Sequence, residues 1–242
     1  MIQWLRSLVF NVQMYVMMLV FAVAYAPWAI INANGAFAAC ISYSKYIRWT
    51  ASWIVGLKSE IRGTIPDGEL LVASKHQSFF DIIMIVSVVK RPRFVMKSSL
   101  RFAPLLGWYS SRMRCVAVNR GKKTKAITQM VEGVARVADD PGQLIIYPQG
   151  TRIAPGVKAP YKIGTAVLYK ELGQDCVPVA CNVGVFWPKR GIYRKPGVAV
   201  IEFLPRIETG LELHDFMAQL EQAIETRSNA LNVEAGLPAI AP

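Results

Sequence analysis

A histidine and an aspartate lie five residues apart in this 242-residue chain, in the segment HQSFFD that runs from His76 to Asp81. A neutral imidazole can accept a proton from an alcohol, and a nearby carboxylate can fix its tautomer and stabilise the imidazolium that forms. The two residues could therefore act as a general base and the group that orients it. The alternative is a structural histidine, because this spacing alone is common.

The elements around the pair decide whether the two side chains can meet. Five residues are about 140° more than a full helical turn, so the groups would diverge on one regular helix. The pair can meet only if His76 lies in a loop and Asp81 lies in the first turn of the helix that follows. We predict a short buried strand over 70–74 and a helix over 81–89, although the second segment is also apolar and β-branched enough for a strand.

Four short blocks follow this pair in order. The first is VMKSSLRFAPLLGW with Lys97, the second is MRCVAVNR ending at Arg120, the third is YPQGTR at 147–152, and the fourth is VPVA at 177–180. This succession resembles the glycerolipid acyltransferase family, most closely the bacterial 1-acylglycerol-3-phosphate (lysophosphatidate) acyltransferases. The resemblance covers roughly residues 70–185 and depends on the order and spacing of the blocks, since any one of them alone would be weak.

The resemblance implies an O-acyltransferase with His76 and Asp81 as its catalytic pair. Such an enzyme moves a fatty acyl chain from an acyl thioester, acyl-CoA or acyl carrier protein, to the sn-2 hydroxyl of 1-acyl-sn-glycerol-3-phosphate. The product is phosphatidic acid for phospholipid biosynthesis. The alcohol attacks directly, and no cofactor is required beyond the thioester co-substrate. Ser78 and Cys181 are alternative nucleophiles, but neither lies in a G-x-S-x-G context.

The third block supplies the predicted acceptor site. Arg152 presents a planar fork of donors that matches a phosphate, and Thr151 can add a hydroxyl. The family uses the corresponding arginine and glycine, here Gly150, to hold the glycerol phosphate; the alternative for Arg152 is a structural salt bridge. Lys97 is a candidate for phosphate binding or oxyanion stabilisation, or a solvated charge. Arg120 could reach the same phosphate.

Two departures from the family pattern leave the acceptor open. Gln149 replaces the usual glutamate before Gly-Thr-Arg, and Ser99 replaces the frequent glutamate two positions after the lysine. An amide can still bond to a glycerol hydroxyl but carries no charge to balance an arginine. An alternative acceptor is therefore another lysolipid, such as a lyso-ornithine lipid or a lysophospholipid. A non-catalytic binder of anionic lipid surfaces is the alternative from another class.

The N-terminal part is typical of a membrane-associated segment. The 38 residues between Arg6 and Lys45 carry no charge, whereas about 20 apolar residues suffice to span a bilayer core. A cleaved signal peptide is the alternative, because AYA at 24–26 imitates a cleavage site, but Pro27 follows it directly. Helices over 8–31 and 36–57 would form a hairpin embedded from one face, which places both basic flanks on one side; a single span is the other possibility.

The chain therefore divides into a membrane-anchoring helical hairpin (1–60), a catalytic domain (61–235) and a frayed tail (236–242). Further strands are predicted over 93–96, 115–118, 144–147, 177–182 and 198–203, with helices over 124–138 and 211–230. This alternation predicts an α/β fold in which helices flank a β-sheet. The resemblance implies that the sheet is mixed, like that of glycerol-3-phosphate acyltransferases. The resemblance also implies a bacterial inner membrane location with the catalytic domain on the cytoplasmic face.

Charge and cysteine content narrow the possible partners. The net charge of +12 is clustered near residues 90–101, 112–125 and 189–195, which suits anionic lipids and phosphate-bearing substrates. Nucleic acid is a competing partner, but the uncharged N-terminal segment makes a lipid surface the simpler explanation. Four cysteines without a C-x-x-C pair and only two histidines predict reduced buried thiols and no metal site.

Overall fold

One β-sheet organises the part of the chain that the computed structural model describes, residues 1–119, 123–135 and 142–238. Within these residues the sheet has seven strands, in the order β1-β7-β6-β2-β5-β3-β4. The strands are β1 (Leu57–Arg62), β2 (Leu70–Ser74), β3 (Pro92–Lys97), β4 (Val116–Val118), β5 (Gln143–Ile146), β6 (Cys176–Cys181) and β7 (Gly197–Phe203). The helices are α1 (Ile2–Ile31), α2 (Ala33–Thr50), α3 (Phe80–Val86), α4 (Leu106–Arg112), α5 (Lys123–Ala135), α6 (Gly164–Leu172) and α7 (Leu213–Glu234).

The sheet is mixed. Its parallel strands bring the loop that contains His76 close to the loop that contains the third block, residues 147–152. Strand β2 lies between β6 and β5 and is parallel to both, and β3 is parallel to β5. Only the pairing of β6 with β7 is antiparallel among the described strands. Because parallel strands end at the same edge of a sheet, the segments that follow β2, β3 and β5 meet there.

Helices cover both faces of the sheet, as the alternation within β2 shows. Leu70 and Val72 pack in the cluster that includes α3, whereas Leu71 and Ala73 pack in the cluster that includes α6 and α7. Successive strand side chains point to opposite faces, so a strand buried on both sides is apolar at every position. The predicted fold class, a mixed α/β sheet flanked by helices, is confirmed.

The N-terminal helices pack against the sheet domain and against each other. Helices α1 and α2 run antiparallel, since Tyr25 near the end of α1 contacts Ser42 while Gln13 contacts Thr50. The second helix ends at Thr50, earlier than predicted, and continues into a π-helical turn, Ala51–Val55. Within the described residues, α1 is the single helix that is long and apolar enough to cross a membrane.

Helix α1 also contacts the loop that joins β6 to β7. Phe10 is fully buried and meets the edge of Trp187, with ring centroids 5.5 Å apart. The backbone N–H of Arg194 donates to Ser7 Oγ at 3.0 Å, and Gln3 Nε2 donates to the Arg194 carbonyl oxygen at 2.8 Å. The outer side of α1 is apolar and exposed, so the helix has one face in the protein core and one face free for lipid.

Strand β1 and helices α4 and α6 were not predicted from the sequence. β1 pairs with β7 in parallel over its whole length, from Leu57 with Gly197 to Arg62 with Glu202. The predicted boundary at residue 60 falls inside this strand, and the division into an anchor and a catalytic domain stays a prediction. Residues 239–242 of the predicted tail lie outside the described part of the chain.

Candidate active site

His76 and Asp81 meet at the end of β2. The strand ends at Ser74, His76 lies in the loop, and Asp81 lies in the first turn of α3. His76 Nδ1 is 2.9 Å from Asp81 Oδ1, and Asp81 Oδ2 accepts the backbone N–H groups of Gln77 at 2.8 Å and Ser78 at 2.7 Å. Asp81 is 0% exposed. Because three donors fix this carboxylate, it can hold the imidazole in one orientation.

An aromatic ring also packs against the imidazole of His76. The Tyr147 ring stacks on His76 with centroids 3.9 Å apart and an interplanar angle of 21°. Burial, and then the negative charge of Asp81, raise the pKa of Tyr147 well above its usual value, so this phenol stays neutral. With Nδ1–H donating to Asp81, the His76 Nε2 atom carries the free lone pair, and the side chain is 12% exposed. The ring can therefore accept a proton at Nε2.

The third block lies directly beside the histidine. Gly150 adopts the left-handed conformation with φ of +68°, which a side chain would strain, and its N–H donates to the Tyr147 carbonyl oxygen at 2.8 Å. This tight turn redirects the chain so that the Ile153 N–H donates to the His76 carbonyl oxygen at 2.8 Å. Arg152 is half-buried, and among the described carboxylates none forms an ion pair with it. Its fork of donors is thus available next to the His76 loop.

The two other predicted basic residues are less closely placed. Lys97 is the last residue of β3, at the same sheet edge, and its side chain is exposed. No hydrogen bond joins Lys97 to His76 or Asp81 in the described part of the chain. Arg120 lies outside the described residues.

Gln149 is buried and points toward helix α7. Its Nε2 is 3.2 Å from the Ala159 carbonyl oxygen and 3.4 Å from Glu225 Oε1. The Glu225 carboxylate also accepts from Lys75 Nζ, at 2.5 and 2.8 Å, and from Tyr161 OH, at 2.8 Å. A glutamate at 149 would place a second negative charge beside Glu225. The neutral amide therefore matches a carboxylate that α7 already supplies.

Lys189 was predicted only as part of a basic surface cluster, and the structure places it beside the third block. Its Nζ is 3.1 Å from the Arg152 carbonyl oxygen and 3.4 Å from Thr151 Oγ1. The loop that carries it is anchored by Trp187, whose ring stacks on Phe80 at 5.1 Å. The sequence signal was limited to basic residues around a tryptophan, which does not reveal a contact 37 positions away along the chain.

The two alternative nucleophiles are poorly placed for covalent chemistry. Ser78 is fully buried, and its Oγ accepts the Phe80 N–H at 3.1 Å at the start of α3. Cys181 is fully buried, and desolvation raises the pKa of its thiol well above the usual value. Neither side chain therefore offers an accessible, activated nucleophile.

The fold and the site define a class of protein: an α/β protein with a histidine held by a buried aspartate, an arginine-bearing turn beside it and an apolar N-terminal helix. Residues 57–182, more than half of the chain, match the family model named Acyltransferase, and the chain belongs to this family. The family predicted from the motifs and the O-acyltransferase class are thus confirmed.

Curated relatives and a solved structure agree with this assignment. The 1-acyl-sn-glycerol-3-phosphate acyltransferase of Pseudomonas aeruginosa is 26% identical over 186 residues, which cover 76% of this chain and 72% of that protein. The protein of the same name from Saccharomyces cerevisiae is 27% identical over 144 residues, 57% of this chain and 47% of that protein. The crystal structure of the 1-acyl-sn-glycerophosphate acyltransferase PlsC from Thermotoga maritima has a TM-score of 0.79 at 18% identity, covering 98% of this chain and 99% of that one. This likeness supports the fold, and the apolar α1 together with the family supports membrane association.

Proposed function

We propose that the protein transfers a fatty acyl chain from an acyl thioester to the sn-2 hydroxyl of 1-acyl-sn-glycerol-3-phosphate, which gives phosphatidic acid for phospholipid synthesis. The observation that carries the proposal is the 2.9 Å contact between His76 Nδ1 and Asp81, with the Arg152 turn held against the same loop through Ile153. A base for an alcohol and a cation for a phosphate monoester thus lie side by side. The names of the relatives support the same substrate.

The proposed reaction needs no covalent acyl-enzyme. His76 Nε2 takes the proton of the sn-2 hydroxyl as that oxygen attacks the thioester carbonyl carbon and the tetrahedral oxyanion forms. When the intermediate collapses, the carbon–sulfur bond breaks and the imidazolium returns its proton to the departing thiolate. Asp81 stabilises the imidazolium and keeps Nε2 directed at the alcohol. The balance is one ester formed, one thioester cleaved and one thiol released.

Acceptor binding is assigned to the third block. Arg152 binds the phosphate monoester in a two-pronged geometry, Thr151 adds a hydroxyl, and Gly150 makes the turn that presents them. The Lys189 ammonium supplies a second positive charge next to this turn. Lys97, at the end of β3, is the candidate for a further phosphate contact or for the oxyanion.

The contacts of Gln149 are compatible with lysophosphatidate as the acceptor. Its amide faces Glu225, so the neutral side chain at this position is explained by a neighbour within the protein. The acyl donor is acyl-CoA or acyl carrier protein, and the partners are membrane lipids and lysophosphatidate. We place the enzyme at a bacterial inner membrane, with the catalytic domain on the cytoplasmic face where these thioesters are found.

The test compares wild-type protein with His76→Ala in detergent micelles, using labelled acyl-CoA and lysophosphatidate. The matched control is His214→Ala, because His214 is the other histidine of the chain and is 95% exposed on α7. We expect loss of nearly all phosphatidic acid formation in the first variant and none in the second. Activity of more than a few per cent in His76→Ala would show that this imidazole is not the base.

A panel of acceptors tests the substrate. Lysophosphatidate, a lysophospholipid with an esterified phosphate and a lyso-ornithine lipid are offered at equal concentration. The proposed phosphate site predicts that the wild-type protein prefers the phosphomonoester and that the Arg152→Gln variant loses this preference. Equal use of all three acceptors by the wild-type protein would refute the assignment of lysophosphatidate while leaving the acyltransferase chemistry intact.

A further inference from the structure

A basic cleft lies between α2 and β1, and none of its lining residues belongs to the His76 loop or to the third block. It has a volume of about 390 Å³ and is lined by Lys45, Arg48, Trp49, Ser52, Lys58 and Ser59. In the described part of the chain, no carboxylate forms an ion pair with any of its three cations. Three positive charges that share a cleft without an internal counter-charge suit an anionic ligand.

Arg48 lines this cleft, and three hydrogen bonds fix its guanidinium. Its Nε donates to Ser59 Oγ at 2.8 Å, its Nη1 donates to Ser87 Oγ at 2.9 Å, and its Nη2 donates to the Ser59 carbonyl oxygen at 3.3 Å. A guanidinium carries five N–H donors, so about two of them remain for a ligand. The side chain is thus half-buried and fixed by neutral partners, which leaves its charge uncompensated. A planar fork of this kind matches a phosphate.

The cleft borders exposed tryptophans of α2 and of the π-helical turn that follows it. Lys45, Trp49 and Trp53 are spaced four residues apart and lie on one face of the helical segment. Trp49 is 56% exposed and Trp53 is 74% exposed, with ring centroids 5.6 Å apart. Tryptophan favours the headgroup layer of a bilayer, where basic side chains also meet lipid phosphates. Arg6 of α1 donates to the Trp53 carbonyl oxygen at 3.3 Å, so the start of α1 lies beside this segment.

We propose that the α2–β1 cleft binds the headgroup phosphate of an anionic phospholipid of the bilayer in which α1 and α2 lie. A lipid is the occupant, rather than free phosphate, because Trp49 forms one wall and the neighbouring exposed surface is apolar and would contact acyl chains. The inference rests on the proposed membrane association, and it is independent of the catalytic assignments. Bound lipid would fix the height of the catalytic domain above the membrane.

Binding to vesicles tests the site without any thioester or turnover. Purified protein is mixed with phosphatidylcholine vesicles that contain or lack phosphatidylglycerol, and the bound fraction is measured by flotation. Each basic side chain near an anionic surface contributes about 1 kcal/mol, so Lys45→Gln/Lys58→Gln should lower the phosphatidylglycerol-dependent partition coefficient roughly thirtyfold. The matched control, Lys170→Gln/Arg206→Gln, removes the same charge at two exposed basic residues that pair with carboxylates, and should change binding less than threefold. Equal losses in both variants would show general charge attraction and would overturn the site.

Two further measurements separate geometry from charge and lipid from free phosphate. Arg48→Lys keeps the charge but loses the fork, so we expect partition to fall about tenfold, with circular dichroism checking that the variant remains folded; unchanged partition would overturn the role of the fork. Glycerol phosphate carries the headgroup chemistry without acyl chains and should not displace the vesicles at millimolar concentration. If it competes, the occupant is a soluble phosphate and the proposal is wrong. A failure of the His76 test would leave these binding results unaffected, so the two proposals can fail separately.

Discussion

Replacing Asp81 with asparagine tests the orienting role that we propose for the carboxylate, because the change keeps the shape and removes the charge. Asp81 receives three donors, His76 Nδ1 and the backbone N–H groups of Gln77 and Ser78. An asparagine has one acceptor oxygen, and it satisfies more donors by turning that oxygen toward the two backbone groups. Its NH₂ group then faces His76 Nδ1, which must become the acceptor. The ring proton moves to Nε2, and the base loses the lone pair it needs.

The expected decrease in kcat follows from this change of tautomer. The same substitution in a serine protease triad lowers kcat by about ten-thousandfold. Asp81 is fully buried, like the aspartate of that triad. We expect kcat of Asp81→Asn to fall about a thousandfold to ten-thousandfold, which is about 4–5.5 kcal/mol in activation free energy. The KM for lysophosphatidate should change little, because neither residue is assigned to the phosphate.

Initial rates at saturating thioester and varied lysophosphatidate measure both quantities, and thermal unfolding checks that the fold is retained. The double variant His76→Ala/Asp81→Asn should be no slower than His76→Ala, because residues that act as a unit are not additive. A kcat within tenfold of wild type in Asp81→Asn, beside an inactive His76→Ala, would refute the orienting role.

Three other outcomes follow from contacts of the site. Lys189→Gln should raise the KM for lysophosphatidate about tenfold and leave the KM for the thioester unchanged, because the variant loses one proposed charged contact with the phosphate. Equal changes in the two KM values would argue against this phosphate contact. Glu225→Gln leaves the buried ammonium of Lys75 without its counter-charge and should lower the free energy of unfolding by about 3–5 kcal/mol, as measured by chemical denaturation. Adding Lys75→Met should recover most of this loss, and no recovery would point to another cause. Burial raises the pKa of Cys115 to about 11, so its thiol is protonated at about pH 8. Iodoacetamide should therefore alkylate Cys115 in unfolded protein and not in native protein. Rapid alkylation of Cys115 in native protein, detected by mass spectrometry, would contradict this expectation.

The sequence was most informative where the structure is local or buried on both faces. Strand β2 is apolar at each position because helices cover both sides of it, and its predicted bounds are those observed. Strand β1, in contrast, alternates Lys58 and Glu60 with less polar residues, and its first residue, Leu57, is the last residue of the predicted second helix. Its partner β7 lies about 140 residues further along the chain, and no local pattern can reveal such a pairing.

The same distinction separates the parts of the site. His76 and Asp81 are five residues apart, and the requirement for a loop followed by a helix turn could be stated from the spacing alone. The contact of Lys75 with Glu225 joins residues 150 positions apart, and that of Lys189 with Arg152 joins residues 37 positions apart. These contacts depend on where α7 and the β6–β7 loop settle on the sheet, which is a property of the whole fold.

The contact between α1 and the β6–β7 loop has a practical consequence for handling the enzyme. Phe10 supports Trp187, which in turn supports Phe80 at the start of α3, one residue before Asp81. A fragment that begins after α1 would therefore be more soluble in water, but it would expose the side chains that support the candidate active site. Replacing outward side chains such as Val12 and Val16 with polar ones is the route that should yield a detergent-free protein while the inward side of the helix stays in place.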